Sequence, residues 1–98
     1  SQMDIAGGII ATRQAKGRVV TVTIDAMTFD RPIQVGDLVS IYGHVSATGT
    51  SSITVEMETI VQRQYSEEEI KVTGGQFKFV AIDSEGRPRP LPGSSNSS

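Results

Sequence analysis

At Gly17 the spacing of apolar residues changes from helical to alternating, and the alternation then persists to Ile82. Upstream, residues 1–15 read as one helix that runs into Gly17 as its C-terminal stop, with Arg13 and Lys16 in its last turn. Met3, Ile5, Ala6, Ile9, Ile10 and Ala11 cover nearly every face of that helix, and a helix that is apolar all round is a buried one. Gly7 and Gly8 interrupt it. Each costs about 1 kcal/mol relative to Ala in a helix interior, so the pair points to a close backbone approach. Downstream, Val20, Val22, Ile24 and Ala26 share one strand face against Thr21, Thr23 and Asp25 on the other. Residues 29–37 form a connector with Pro32 and Gly36, and 38–47 a second strand. Thr48-Gly49-Thr50-Ser51 turns the chain into a third strand at 52–64, and Glu67-Glu68-Glu69 marks the next turn. The third strand sends Ile53, Val55, Met57 and Val61 one way and Thr54, Glu56, Glu58 and Gln62 the other. A fourth strand covers 70–82 and ends at Asp83-Ser84-Glu85-Gly86. Runs this long exceed the usual ~5–6 residues. Long strands twist and coil, and Gly43, Gly74 and Gly75 are bend points. The pattern therefore predicts an α+β fold in which a curved antiparallel sheet wraps one central helix.

Ninety-eight residues allow a single domain, which residues 1–92 fill, and the polar stretch 93–98 is expected to be a disordered tail. A domain this small is marginal alone and is expected to gain stability from another subunit. A net charge of −2 argues against a nucleic-acid module. No apolar run approaches the ~20 residues that span a bilayer, and no basic-plus-apolar leader precedes the helix, so membrane insertion is not expected. The absence of Cys excludes disulfides and thiolate metal sites, and one His leaves little for a metal cluster. A reducing, cytoplasmic setting accords with that composition.

Asp4 is the most informative ionisable residue. It lies within the helix that reads as apolar on all sides. A buried, unpaired carboxylate costs several kcal/mol or titrates abnormally, which marks a functional candidate. The alternative places Asp4 exposed in the first helical turn, favoured by the macrodipole. His44 lies on the Leu38/Ser40/Tyr42 face of the second strand with no matching nucleophile, which favours a strand-surface role over that of a catalytic base. Glu56 and Glu58 share the polar face of the third strand, and Glu67–Glu69 read as a solvated turn. Arg87 and Arg89 offer a phosphate contact or solubilise a frayed tail. Arg18 binds an anion or completes the helix C-terminus, while Thr21 and Thr23 answer to β propensity.

Several stretches together resemble a known family. Ser1-Gln2-Met3-Asp4 followed by Gly7-Gly8, and Gly17-Arg18-Val19-Val20-Thr21-Val22 running to Met27-Thr28-Phe29, are similar to the YciA-like acyl-CoA thioesterases of the hotdog superfamily. So are Phe29-x-x-Pro32-x-x-Val35-Gly36-Asp37 and the closing Phe77-x-Phe79-Val80-Ala81-x-Asp83-x-x-Gly86-x-x-Arg89-x-x-Pro92. The resemblance implies a hotdog fold and hydrolysis of acyl-CoA at sites on the interface of a homodimer, often assembled as a trimer of dimers. Asp4 matches the catalytic aspartate, acting as general base on water or as nucleophile. Arg18, Thr21 and Arg89 match positions along bound coenzyme A, which is part of the substrate; no separate cofactor or metal is implied. The family carries a further strand and an Asn-x-x-Gly-x-x-Phe-Gly-Gly stretch before the position of Ser1. Relative to that pattern the sequence is expected to lack its opening strand and half of the site. A non-catalytic hotdog module that binds coenzyme A or acyl groups, or serves assembly, is the alternative. A hydratase or dehydratase ranks last, because such chemistry wants a His beside the helix and this helix has none.

Overall fold

The computed structural model of the chain describes residues 2–29 and 31–93. All of the expected tail at 93–98 except Gly93 therefore lies outside the described residues. Helix α1 (Gln2–Ala15) is followed by strands β1 (Val19–Thr28), β2 (Leu38–Thr48), β3 (Ser52–Gln62) and β4 (Glu69–Ala81). The strands form one antiparallel sheet in the order β1-β4-β3-β2. Helix α1 packs across all four, as the alternation after Gly17 predicts.

Strand β3 carries the core. Its odd-numbered residues from Ile53 to Val61 are all buried, and its even-numbered ones are only partly covered. Ile53, Val55 and Met57 join Phe77, Phe79 and Ala81 of β4 against Met3, Ala11 and Ala15 of the helix. Full burial of the Ile, Val, Met and Phe side chains among them stabilises by about 1.5–3 kcal/mol each. Val61, Ile70 and Val72 form a separate cluster.

Three expectations need correction. First, the chain encloses its helix on one side only. Met3, Gly7, Ala11 and Ala15 are buried, whereas Ile5 is 66% and Ile9 50% exposed. The dimensions, 53 × 23 × 18 Å with a radius of gyration of 16.0 Å, describe a slab rather than the roughly 13 Å globule typical of this length. Second, β1 does not alternate regularly. Its pairing with β4 slips between Thr21 and Thr23, leaving Val22 as an extra residue. Facing partners in an antiparallel ladder share a side, so Val20 (opposite Val80) and Ile24 (opposite Phe77) lie on opposite faces. Thr21, opposite Phe79, thereby joins Ile24 on the helix side. Third, the helix does not stop on a glycine in the left-handed region. Lys16 takes that conformation, with φ 54°, and the Gly17 N–H reaches back to the Thr12 carbonyl at 3.3 Å. This is the six-to-one closure of a Schellman turn. A side chain there costs about 1–2 kcal/mol relative to Gly, partly cancelled by the entropy that Gly loses on folding. Lys16→Gly is therefore expected to raise stability by about 0.5 kcal/mol, read as a melting temperature a few degrees higher; a lower one would contradict the cap assignment.

The segment after β4 is also ordered. The Leu91 N–H donates to the Thr50 carbonyl at 2.8 Å, and the Leu91 side chain is 7% exposed within the main core. The Arg89 guanidinium donates to the Ala15 carbonyl at 2.9 Å, the Ile82 carbonyl at 3.1 Å and the Pro90 carbonyl at 3.4 Å. Residues 87–92 thus close over the helix end instead of fraying. At the opposite end of the sheet, the connector is tied down by Asp37. Its side chain is 2% exposed, pairs with Arg63 and accepts the Gln34 N–H at 2.7 Å.

Candidate active-site groove

Helical spacing places Asp4, Gly8 and Thr12 on one line along α1, with Ile5, Ile9 and Arg13 on the adjacent line. Both lines face away from the buried stripe and border an open groove of about 490 Å³. The sheet side of this groove is Val19, Thr21 and Phe79. Two residues singled out in the sequence, Asp4 and Thr21, therefore meet in one concavity. Thr21 is there because the bulge begins after it, at a position where its partner Phe79 faces the helix.

The carboxylate of Asp4 is at the exposed end of the groove, in the first turn of α1. That selects the exposed alternative over the buried one, and it places a negative charge where the helix macrodipole favours it. Walls of Ile5, Ile9, Val19 and Phe79 give the groove an apolar lining with few polar groups, the usual make-up of a site for a small organic ligand.

Neither Arg18 nor Arg89 lines the groove. Arg18 is exposed at the foot of β1, and Ile82 connects the two arginines. The Ile82 N–H donates to the Arg18 carbonyl at 3.1 Å, and the Ile82 carbonyl accepts from Arg89 Nε at 3.1 Å. Arg87 is exposed and lies 3.5 Å from Glu85.

The other candidates fall on the opposite face of the sheet. Asp25, Gln76, Glu56 and His44 form a single row across its four strands. Gln76 Nε2 donates to Glu56 Oε2 at 2.7 Å, and Glu58 pairs with Lys71 at 3.5 Å. They border a shallow hollow of about 580 Å³, with the sheet between it and Asp4. His44 is exposed on its strand, in keeping with the strand-surface reading.

A family model described as the thioesterase superfamily matches residues 1–66. The acyl-CoA thioester hydrolase YciA of Escherichia coli (strain K12) is 47% identical over 95 residues, which are 94% of this chain and 72% of that protein. The chain is a YciA-like member of the thioesterase superfamily. Its fold is the hotdog fold. The hexameric thioesterase y2039 from Yersinia pestis superposes with a TM-score of 0.81 at 42% identity, covering 93% of this chain and 75% of that one. An acyl-CoA hydrolase from Staphylococcus aureus, solved with butyryl coenzyme A, coenzyme A and coenzyme A disulfide, gives a TM-score of 0.83 at 30% identity, over 94% of this chain and 56% of that one.

In this YciA-like thioesterase the groove includes residues that pattern reading passed over. Thr12 and Arg13 stand on its helix wall, and the signal for them was the repeat at i, i+4 and i+8 that starts from Asp4 and Ile5. Among the described residues, no group of three His, Asp or Glu is placed to hold a metal ion, and no helix is long and apolar enough to cross a membrane.

Proposed function

We propose that the chain hydrolyses acyl-CoA thioesters, with Asp4 as the reacting carboxylate. The single observation that carries this reading is the meeting of Asp4 and Thr21 in one apolar-walled groove, in a chain of the YciA-like family. As a base, Asp4 takes a proton from water while the water oxygen attacks the thioester carbonyl; the C–S bond then breaks and the coenzyme A sulfur recovers a proton. As a nucleophile, its oxygen attacks the carbonyl, expels the thiolate and leaves a mixed anhydride for water to open. The apolar wall of Ile5, Ile9 and Phe79 lines the bound substrate, and the Thr21 hydroxyl holds the coenzyme A arm. Arg18, and Arg13 on the groove wall, offer guanidinium groups to the phosphates. Arg89, three of whose N–H groups are used on carbonyls, fixes the helix end behind them. The test is thiol release from a series of acyl-CoAs. Hydrolysis that requires Asp4 supports the proposal. Coenzyme A raising the melting temperature without turnover favours the binding-module alternative instead.

The working protein in this reading is a homo-oligomer, a dimer or a trimer of dimers, in which residues 1–92 make one hotdog domain per subunit in a cytoplasmic setting. The support is β1, an outermost strand of the described sheet, where Val22 is 52%, Ile24 49% and Met27 62% exposed. Ile24→Lys is tolerable in a single chain because half of the side chain already meets solvent. It is expected to lower the molecular mass measured by light scattering towards the monomer and to reduce turnover with it. An unchanged mass would remove β1 from the interface.

A further inference from the structure

Along α1 and its cap the close backbone approach falls at Gly17, not at Gly7 or Gly8. A Cβ built on Gly7 meets Phe79 at 3.5 Å, an ordinary packing distance, and one on Gly8 meets nothing within 4 Å. A Cβ on Gly17 would lie 2.6 Å from Arg89 Nη2 and 3.6 Å from its Cζ. Gly17 does not take the left-handed conformation, which belongs to Lys16, so backbone freedom does not call for glycine there. What calls for it is the guanidinium lying over its Cα. Arg89 is itself anchored on the sheet: its backbone N–H donates to the Ala81 carbonyl at 3.0 Å, and its Nε to the Ile82 carbonyl at 3.1 Å. From there Nη2 reaches the Ala15 carbonyl, in the last turn of α1, at 2.9 Å. Ala81 pairs with Val19 of the groove's sheet wall, and Ala15 lies in the turn after Thr12 of its helix wall. One side chain thus spans from one wall to the other.

We infer that Arg89 is a positioning residue for substrate binding: it ties the helix wall of the groove to the sheet wall at the end remote from Asp4, and Gly17 lacks a side chain to admit it. The inference rests on the hydrolase reading and deepens it. The last carbonyls of any helix lack partners within it, and at an exposed end water satisfies them as well as a side chain does. A planar guanidinium that takes carbonyls from both walls does what water cannot, because it fixes their separation. The tie also holds Arg18, whose carbonyl accepts the Ile82 N–H at 3.1 Å. At 1.5 Å per residue, Ala15 lies about 16 Å along the helix from Asp4. Loosening the tie therefore disturbs how the substrate is held and leaves the reacting carboxylate in place. This role differs from the direct contact along coenzyme A that the family resemblance implies for Arg89.

The test measures thiol release from butyryl-CoA by the full chain and by Arg89→Met, Arg89→Lys, Gly17→Ala and the double variant Gly17→Ala/Arg89→Met, with thermal melting on each. Arg89→Met is expected to raise KM about tenfold, the scale of one charge-assisted hydrogen bond, with kcat within about threefold of the parent. Arg89→Lys keeps the charge but not the planar fork and is expected to raise KM nearly as much. The dependence of KM on salt is expected to be the same in Arg89→Met as in the parent, since no phosphate contact is lost. Gly17→Ala displaces the guanidinium and is expected to raise KM in the same way, with no further rise in the double variant. A parent-like KM in Arg89→Lys, with a weaker salt dependence in Arg89→Met, would overturn the inference in favour of a direct phosphate contact. A lower melting temperature with KM and kcat both unchanged would overturn it too, leaving Arg89 a structural role only. Additive effects of the two substitutions would overturn the part given to Gly17. If Arg89→Met does not fold, Arg89→Lys and Gly17→Ala decide the same question. If the parent releases no thiol, the hydrolase reading is what fails. The dissociation constant for coenzyme A, compared across the same variants, then decides the inference: a rise supports it, and an unchanged value or the absence of binding overturns it.

Discussion

Asp4→Asn is expected to abolish most thioester hydrolysis, lowering kcat by about 10²–10⁴-fold if the carboxylate acts as base, with a folded chain of unchanged mass. The separation of activity from stability follows from where Asp4 sits. Its side chain is at the exposed end of a groove and outside the buried stripe of Met3, Gly7, Ala11 and Ala15. Loss of its charge removes a macrodipole contribution of about 0.3–1 kcal/mol, small beside the expected loss of turnover. A variant that stays folded and keeps the parent's kcat would take Asp4 out of the chemistry. Asparagine keeps the shape and one acceptor oxygen but neither the basicity nor the nucleophilicity, so substrate binding should survive and appear as a KM close to the parent's. A single turnover in ¹⁸O-water separates the two mechanisms: label recovered in Asp4 assigns it as nucleophile.

The largest effect on stability is expected from Asp37→Ala. The Asp37 carboxylate is almost wholly enclosed, with Arg63 17% exposed beside it and the Gln34 N–H donating at 2.7 Å. Removing it strands a largely buried guanidinium and a backbone donor together. Breaking a buried pair from one side costs about 3–5 kcal/mol, and the partial exposure of Arg63 argues for the lower end, about 3 kcal/mol. In a domain of this size that corresponds to a fall in melting temperature of roughly 10 °C or more. Asp37→Asn, which can still accept from Gln34, should lose less. Combining Asp37→Ala with Arg63→Met should recover part of the loss, because the second change removes the stranded charge. A double variant no better than Asp37→Ala would mean that the backbone contact, and not the ion pair, holds the connector.

How much of this was legible in the sequence depended on whether the deciding force was local. The helix, four strands and the inward face of β3 follow from periodicity, because Ile53, Val55, Met57 and Val61 keep to one face with only Thr59 polar among them. β1 was read on a regular alternation, and the bulge at Val22 defeats that reading. A bulge is fixed by the partner strand, and nothing in Val19-Val20-Thr21-Val22-Thr23 announces it. The same applies to Asp37 and Arg63, which are 26 residues apart and look like ordinary loop and strand-end charges until the sheet brings them together. Arg89 reads as part of a proline-rich tail, yet its partner carbonyl on Ala15 is 74 residues away. The helix misled in another way. Its apolar residues on every face report all the surfaces it is built to meet, and one chain supplies only some of them.

The bulges on the sheet have a further consequence. Both outermost strands carry one, β1 at Val22 and β2 at Ser46, between Val45 and Ala47. A long, flat, apolar outer strand invites another chain to pair with it, and then another, without end. Here each outer strand is regular over only part of its length and is interrupted by a local twist that a straight incoming strand cannot follow throughout. The slab can therefore leave Val22, Ile24 and Met27 accessible without offering a template for fibre growth. Association is steered towards closed pairs whose curvature matches.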